Sequence, residues 1–317
     1  MGYSTIQDHQ SMLFDNFRNT MYNEAIQQVV KKNSIVLDLG AGLGLHGFMA
    51  NLWGAKKVYL VDPAPILDIT TLVVKNNSLI EKVKSISGKI ENIELPEKVD
   101  VIISVLTGNF LLSEDLLPSL FYARDKYLKP GGKMIPDLAK MVVVPVSAAD
   151  YYANHIDCWS KPIFDVDYSI LRKYAANSLY YDSPKRRKTN FLAKPENILD
   201  LDFMIATEAS CKNTIEFKII KDGIVHGFLG WFDIQIGDKW LSTSPTTKQT
   251  HWQQTFLPLE NPIQIKKDHI LSFKLNRPEN GEWSWIVNYG NIKQMQSTFL
   301  SHPINVNHLQ DQNKIVD

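Results

Sequence analysis

An apolar run followed by a glycine-rich turn is the feature that most constrains the fold of this chain. The run is Ile35–Leu39, and the turn contains Gly40, Gly42 and Gly44. Such a run suits a buried parallel strand, and glycines permit a tight turn that a ligand can approach closely. The segment from Gly47 then begins a helix. This order is typical of sheets that bind a nucleoside-containing cofactor, although a glycine turn of this kind can also bind nothing.

An acidic residue stands at the end of the next apolar run. Val58–Val61 is followed by Asp62, about twenty residues after the glycine turn. A carboxylate at the tip of a second strand can accept hydrogen bonds from a ribose diol. Both dinucleotide enzymes and adenosyl-methionine enzymes use this arrangement, so the motif alone does not distinguish them.

Apolar runs alternate with helical or loop segments through the first part of the chain. Further strands are predicted at Val83–Ser87 and Val99–Ser104, and helices over Ser11–Lys32 and Asp115–Leu128. The alternation predicts an α/β fold with a parallel-rich sheet and helices on both faces, whose ligands bind beyond the carboxyl ends of the strands. The polar residues at or just after such ends are Asp38, Asp62, Glu91 and Ser104.

The sequence pattern changes after Pro136. Many later runs alternate apolar and polar residues, as half-buried antiparallel strands do. We therefore expect two domains, residues 1–136 with an N-terminal helix and the cofactor sheet, and residues 137–317 with an all-β fold. The segment at about 156–195 is rich in aromatic residues and partly helical, so it is interpreted as an arm or a lid.

Charge and cysteine content narrow the classes of partner. Lys+Arg and Asp+Glu number 34 each, so bulk charge favours neither nucleic acid nor an anionic membrane. Cys158 and Cys211 are too few for a disulfide framework or a zinc site, which indicates a reducing, cytoplasmic compartment and no metal. We see no secretory signal and no apolar run near the roughly 20 residues that span a bilayer. The basic cluster Lys185–Lys188 is interpreted as a solvated loop.

Five stretches of the chain resemble the protein arginine methyltransferases, over nearly its whole length and in the family's order. They lie within residues 3–18, 36–44, 88–96, 103–114 and 242–252. Thr250-His251-Trp252, about 160 residues after Gly88-Lys89-Ile90-Glu91-Asn92, is the most specific of these matches. The resemblance implies a Rossmann-like methyltransferase domain, an antiparallel β-barrel domain, and a helical arm at about 156–195 that forms a homodimer.

The resemblance also implies the contacts of the cofactor, S-adenosyl-methionine, whose product is S-adenosyl-homocysteine. Arg18 would pair with the methionine carboxylate, which its planar donor fork matches. Asp62, one methylene shorter than the family's usual glutamate, would accept from the ribose hydroxyls. Glu91, with the Ile90 backbone beside it, would accept from the adenine amino group. The other expected cofactor residues are Asp38, Gly40, Gly42 and Gly44.

The same resemblance implies an acceptor site. Asp15 and His251 would pair across the two domains, as a support for the pocket or as a proton route. Glu114 would hold the acceptor. The expected lining residues of the acceptor pocket are Met12, Val105, Leu106 and Trp252.

One position departs from the family pattern. In the family two glutamates flank a hairpin loop and bind the substrate guanidinium. In this chain Glu114 stands at the position of the second glutamate, but Val105 stands at the position of the first. The next residue is Leu106, at a position where tryptophan is common in the family. A buried cation that loses one partner typically loses ~3–5 kcal/mol, which implies roughly two or more orders of magnitude in arginine methylation. Asp115, expected on a helix, would point away from the pocket.

Three interpretations of this departure stay open. The enzyme methylates a neutral nitrogen, such as an asparagine amide or a small-molecule natural product; or it methylates an arginine held partly by other groups; or it is a cofactor-binding scaffold without catalysis. Because Glu114, Asp15, His251 and the cofactor set are all present, we favour an active enzyme. We expect it to act on a side-chain nitrogen of a protein or peptide.

Overall fold

The computed structural model of the chain describes residues 3–182 and 190–301. The chain divides into two compact units. One comprises the described residues of 1–141 with 200–209 and 231–253, and the other those of 142–199, 210–230 and 254–317. Two later segments therefore join the first unit, whereas the boundary after residue 136 stays a prediction. The basic cluster Lys185–Lys188 and part of the expected arm lie outside the described residues.

Helices and strands alternate through the first part of the chain, as the sequence predicts. The helices are α1 (Ile6–Leu13), α2 (Asn16–Val29), α3 (Leu45–Leu52), α4 (Ile66–Asn76) and α5 (Leu117–Tyr127). The strands are β1 (Ile35–Leu39), β2 (Lys57–Asp62), β3 (Val83–Ser87), β4 (Val99–Ser104) and β5 (Leu128–Ile135). These strands form one parallel sheet in the order β3-β2-β1-β4-β5. The predicted Rossmann-like sheet is thus confirmed.

The sheet order places a ligand-binding crevice at the carboxyl end of β1. From β1 the chain continues to β2 and β3 on one side of β1, whereas β4 and β5 lie on its other side. The strand order therefore reverses at β1. Ligands in open α/β sheets bind at such a switch point. Every residue of β1 is buried, which explains why this strand reads as a continuous apolar run.

The N-terminal helical segment differs from the prediction. A single helix over residues 11–32 was expected, but α1 ends at Leu13 and α2 begins at Asn16. Asp15 is the N-cap of α2, and its Oδ1 accepts a hydrogen bond from the Arg18 N–H at 3.0 Å. The capping carboxylate satisfies one of the free N–H groups of α2, so the cap overrides the continuous apolar periodicity.

The helix predicted from Asp115 also begins later. Asp115 has a φ of +52° and therefore lies outside the helix, which starts at Leu117. The strand β5 was not expected either, and it begins at Leu128, the last residue of the predicted helix. The two corrections leave Glu114 and Asp115 on a loop between β4 and α5.

The later part of the chain is mainly antiparallel, as expected. Its strands are β6 (Leu138–Ser147), β7 (Tyr180–Asp182), β8 (Asn190–Phe191), β9 (Glu196–Asp202), β10 (Cys211–Lys218), β11 (Gly223–Ile236), β12 (Lys239–Ser242), β13 (Gln254–Ile265), β14 (Ile270–Arg277), β15 (Ser284–Tyr289) and β16 (Ile292–Ser297). One sheet has the order β7-β13-β11-β6-β8, with β12 beside β11 and β9 beside β6; a second has the order β10-β14-β15-β16. Its helices are α6 (Ala149–His155) and α7 (Leu171–Ala176).

The described part of the expected arm carries several exposed apolar side chains. Phe164 is 96% exposed and Ile170 is 72% exposed, and Ile163 and Val166 lie nearby in the sequence. The segment is partly helical, as predicted, through α7. None of the helices that the structure describes has the length and apolar content needed to cross a membrane.

Candidate active site

A cavity of about 450 Å³ lies at the glycine turn, within the first compact unit. Its walls come from α1, α2, the turn, the end of β2, the loop after β4 and residues 251–253. The predicted site residues that line it are Met12, Arg18, Gly40, Gly42, Asp62, Val105, Leu106, Glu114, His251 and Trp252. The structure thus brings most of the expected cofactor and acceptor residues to one place.

Two buried carboxylates hold the glycine turn. Asp38 Oδ2 accepts a hydrogen bond from the Gly47 N–H at 2.7 Å. Asp62 Oδ2 accepts one from the Gly42 N–H at 2.8 Å, and its Oδ1 accepts one from the Ala64 N–H at 2.8 Å. Gly42 has a φ of +50°, a conformation that favours glycine. The backbone between β1 and α3 is therefore held by one carboxylate from β1 and one from β2.

His9 covers this turn. A Cβ at Gly42 would lie 2.7 Å from the His9 ring, so the ring packs directly on the backbone. The ring is held in place by a 3.0 Å hydrogen bond between His9 Nε2 and the Tyr3 carbonyl. His9 was part of the family resemblance without an assigned role, and the structure places it in the cavity wall.

Arg18 offers an unused donor to the cavity. Arg18 is 3% exposed. Its Nε and Nη2 donate to Asn19 Oδ1 at 3.0 and 2.9 Å, and Nη2 also donates to the Met12 carbonyl at 2.7 Å. Among the described residues, Nη1 has no hydrogen-bond partner. Burial lowers the pKa of Arg18, but a guanidinium stays charged in proteins. A fixed cation with a free N–H fits a carboxylate.

The residues present therefore fit S-adenosyl-methionine. Arg18 would supply a donor for its carboxylate, Asp62 an acceptor for its ribose hydroxyls, and the glycine turn a closely approachable backbone. Burial raises the pKa of Asp38 to about 7, against the opposing effects of the Gly47 N–H and Arg18. When bound, this cofactor supplies a methyl group on a sulfonium.

Asp15 and His251 form a hydrogen-bonded pair beside the cavity. Asp15 Oδ2 accepts from the His251 backbone N–H at 2.8 Å and lies 3.1 Å from His251 Nδ1. Although burial alone would raise the pKa of Asp15, the hydrogen bonds from His251 and Arg18 lower it. The expected pairing is present, but both residues belong to one compact unit rather than to two domains.

The pKa of His251 is lowered in spite of this partner. Burial is the main cause, and the Arg18 charge adds to it, while Asp15 acts in the opposite direction. A neutral imidazole that donates Nδ1–H to Asp15 keeps a lone pair on Nε2. His251 can therefore accept a proton at neutral pH.

Trp252 connects the expected acceptor loop, which lies between β4 and α5, to the Asp15–His251 pair. Its Nε1 donates to the Thr107 carbonyl at 2.9 Å, and the Gln253 N–H donates to Asn109 Oδ1 at 2.9 Å. The Arg18 guanidinium carbon lies 5.7 Å from the centre of the Trp252 ring. These contacts fix the loop between β4 and α5 against residues 251–253.

The acceptor loop presents Glu114. The Tyr3 hydroxyl lies 3.2 Å from both Glu114 carboxylate oxygens and donates to them. Burial raises the pKa of Glu114, and burial with the Glu114 charge raises the pKa of Tyr3 to about 12. Gly108 leaves room for the acid, because a Cβ there would lie 2.8 Å from Glu114 Cγ.

Position 105, where the family resemblance implied a glutamate, holds an apolar side chain. Val105 lines the cavity, and its side chain has no hydrogen-bonding group. Leu106 packs on the turn, since a Cβ at Gly40 would lie 2.6 Å from Leu106 Cδ2. The cavity wall at these two positions is therefore hydrocarbon.

Some predicted cofactor residues lie off the cavity wall. Glu91 is exposed, and its Oε1 accepts from the Ser119 hydroxyl at 2.5 Å. Ile90 is buried in a short 3₁₀ turn after β3. Asp38 and Gly44 support the glycine turn without lining the cavity. The roles of Glu91 and Ile90 toward adenine stay predictions.

Sequence reasoning assigned no role to several polar residues of the wall: Tyr3, Asp8, His9, Ser11, His46, Thr107, Asn109 and Gln253. His46 could have been found, because it is a histidine two positions after Gly44 in a helix whose only other polar residue is Asn51. Thr107 and Asn109 carry no such signal. Among the residues that the structure describes, no group of three or more His, Cys, Asp or Glu side chains is placed to hold a metal ion.

Two family models match consecutive parts of the chain. Residues 137–290 match the arginine methyltransferase oligomerization subdomain, and residues 20–136 match the ribosomal protein L11 methyltransferase family. The second match covers the glycine turn and β1 to β5.

Curated relatives are similar over most of the chain. Protein arginine N-methyltransferase 6 of Xenopus tropicalis is 33% identical over 283 residues, which cover 84% of this chain and 82% of the relative. Protein arginine N-methyltransferase 1 of Dictyostelium discoideum is 34% identical over 282 residues, covering 86% and 81% respectively.

Solved structures share the fold. A Trypanosoma brucei protein arginine methyltransferase 1 enzyme–prozyme heterotetrameric complex with AdoHcy matches with a TM-score of 0.85 and 28% identity, over 93% of this chain and 99% of that chain. Arabidopsis thaliana protein arginine methyltransferase 10, in an open conformation, matches with a TM-score of 0.80 and the same identity and coverage.

The protonation of His251 can be measured directly. In protein labelled with ¹³C-histidine, we expect the His251 resonance to titrate with a midpoint below the usual value of about 6.5, because burial disfavours the charged imidazolium. Asp15→Asn removes a charge that raises this pKa, so the midpoint should fall further. His251→Ala assigns the resonance. A midpoint above about 6.5 in the unmodified protein would contradict the neutral imidazole.

Proposed function

The chain belongs to the protein arginine methyltransferase family and is an S-adenosyl-methionine-dependent methyltransferase, and we propose that its acceptor is a neutral side-chain nitrogen of a protein, such as an asparagine amide. The observation that carries this proposal is the acceptor loop with one acid. Glu114 faces the cavity, while Val105 stands where the family resemblance implies the first glutamate of the pair.

Charge is the first reason for a neutral acceptor. A guanidinium that binds in a pocket with one carboxylate lacks the hydrogen bonds that a second carboxylate would accept, and a valine side chain cannot replace them. Leaving a buried charge partly unpaired typically costs ~3–5 kcal/mol. An amide carries no charge to neutralise, so one carboxylate can accept its N–H without a second.

Proton transfer is the second consideration. An amide nitrogen is a poor nucleophile, so its methylation needs a group that polarises it or removes a proton. The raised pKa of Glu114 makes this carboxylate a stronger base than an exposed one. The neutral His251, held by Asp15, is a second base in the same cavity. Placement of the nitrogen in line with the methyl group would supply the rest.

A second candidate function is that of a cofactor-binding partner for another, catalytic chain. The valine at position 105 favours it, because it weakens the family's acceptor site while the cofactor residues are kept. One structural neighbour is an enzyme–prozyme heterotetrameric complex. Under this candidate the isolated chain would bind S-adenosyl-methionine without transferring its methyl group to any acceptor.

We further propose a homodimer formed through the arm. The match to an oligomerization subdomain and the exposed side chains of Phe164 and Ile170 support it, since exposed apolar patches mark interaction surfaces. Light scattering at micromolar concentration should give the mass of a dimer, and Phe164→Asp should shift it toward the monomer. A monomer mass for the unmodified chain would reject the proposal.

Restoring the second acid tests the one-carboxylate pocket. Val105→Glu should raise the rate of methylation of an arginine peptide at least about tenfold, because a guanidinium then has two partners. The rate is measured with isotopically labelled cofactor and peptide mass spectrometry. Val105→Gln is the matched control, with similar size but no charge, and should not raise the rate. An unchanged rate for Val105→Glu, with cofactor binding intact, would contradict the proposal.

A further inference from the structure

His46 has a buried nitrogen without a partner. It is the second residue of α3, directly after the glycine turn, and its side chain lines the cavity while being only 6% exposed. Nε2 has no hydrogen-bond partner among the described residues. Buried polar atoms in native proteins are nearly always paired, because an unmade hydrogen bond costs free energy. A missing partner at a cavity wall points to a ligand.

The neighbours of His46 do not satisfy it. The Tyr22 ring lies 4.5 Å from the His46 ring, but the Tyr22 hydroxyl donates to the Ser104 carbonyl at 3.0 Å. The adjacent Gly47 N–H is taken by Asp38. The imidazole therefore packs against Tyr22, and its buried Nε2 is left without a hydrogen-bond partner among the described residues.

Its position in the cavity indicates which part of a ligand it would meet. Arg18 and His251 are the charged or titratable groups that act on His46, and with burial they lower its pKa well below the usual value, so the ring is neutral. Arg18 also carries the free Nη1 that fits a carboxylate. Tyr22, whose ring packs on His46, follows Arg18 by one turn of α2, so the imidazole lies on the Arg18 side of the cavity.

The N-terminus of α3 also favours an anionic group at this position. The first N–H groups of a helix have no intrahelical acceptor, and they carry a partial positive charge that favours an anion. Of these, the Gly47 N–H is already bonded to Asp38. An anionic group near His46 would thus meet an unpaired imidazole, a helix N-terminus and the Arg18 guanidinium.

We propose that His46 is a second binding residue, beside Arg18, for the carboxylate of S-adenosyl-methionine, to which its Nε2–H donates a hydrogen bond. This contact requires that the cofactor binds, and it does not depend on the identity of the methyl acceptor. It would make the chain select ligands by their amino-acid end. A ligand with the same nucleoside but without that end gains nothing from His46.

Two ligands separate this role from a structural one. S-adenosyl-methionine has the carboxylate, whereas 5′-methylthioadenosine has the nucleoside and the methylated sulfur without it. In isothermal titration, His46→Leu should weaken S-adenosyl-methionine binding by about ten- to a hundredfold, as expected for a hydrogen bond to a charged group. Binding of 5′-methylthioadenosine should change by less than about threefold, because it lacks the group that His46 contacts.

Three further variants complete the experiment. His46→Gln keeps an N–H donor and should recover most of the S-adenosyl-methionine affinity. His46→Phe keeps the ring contact with Tyr22 and replaces His46→Leu if that variant does not fold. His269→Leu makes the same substitution at an exposed histidine of the second unit and should change neither affinity. An equal loss for both ligands, an unchanged affinity for S-adenosyl-methionine, or no recovery with glutamine would overturn the proposal.

Discussion

The site depends on one constraint, the hydrogen bonds that backbone N–H groups at the glycine turn and the start of α3 donate to two buried carboxylates. Asp38 holds the start of α3 through the Gly47 N–H, and Asp62 holds the turn itself through the Gly42 N–H. Both acids come from the ends of adjacent parallel strands, so the sheet register fixes their separation. The cavity wall, including Arg18 and His46, is built around this rigid backbone.

The part of the cavity near Glu114 and His251 is held by hydrogen bonds of single side chains, mostly between residues far apart in the sequence. Asp15 caps α2 and at the same time accepts from His251, while Trp252 donates to the loop that carries Glu114. One carboxylate thus serves local structure and site geometry together. The resulting pocket combines a single acid of raised pKa, a neutral histidine and a hydrocarbon wall at Val105 and Leu106. That combination is the basis for proposing an uncharged nitrogen as the acceptor.

The sequence predicted the sheet well and the loops poorly. β1, β2 and β4 read as mainly apolar runs because nearly all of their residues are buried, whereas β3 is only partly buried. Asp62 at the end of β2 could be placed from strand order alone. The break between α1 and α2 was missed, since a capping carboxylate decided it. The Asp15–His251 pair came from family resemblance only, because no periodicity relates residues 236 positions apart. The open nitrogen of His46 depends on packing that a sequence does not reveal.

The central claim, that one acid serves an uncharged acceptor, is tested most directly by competition between acceptors. The enzyme is given S-adenosyl-methionine with a trideuterated methyl group and an equimolar mixture of peptides that differ only in asparagine, glutamine, lysine or arginine at one position. Fragment mass spectrometry then locates the label. The account predicts label on the amide nitrogen, with arginine labelled roughly a hundredfold more slowly. Arginine as the preferred acceptor, or no labelled peptide at all, would contradict it.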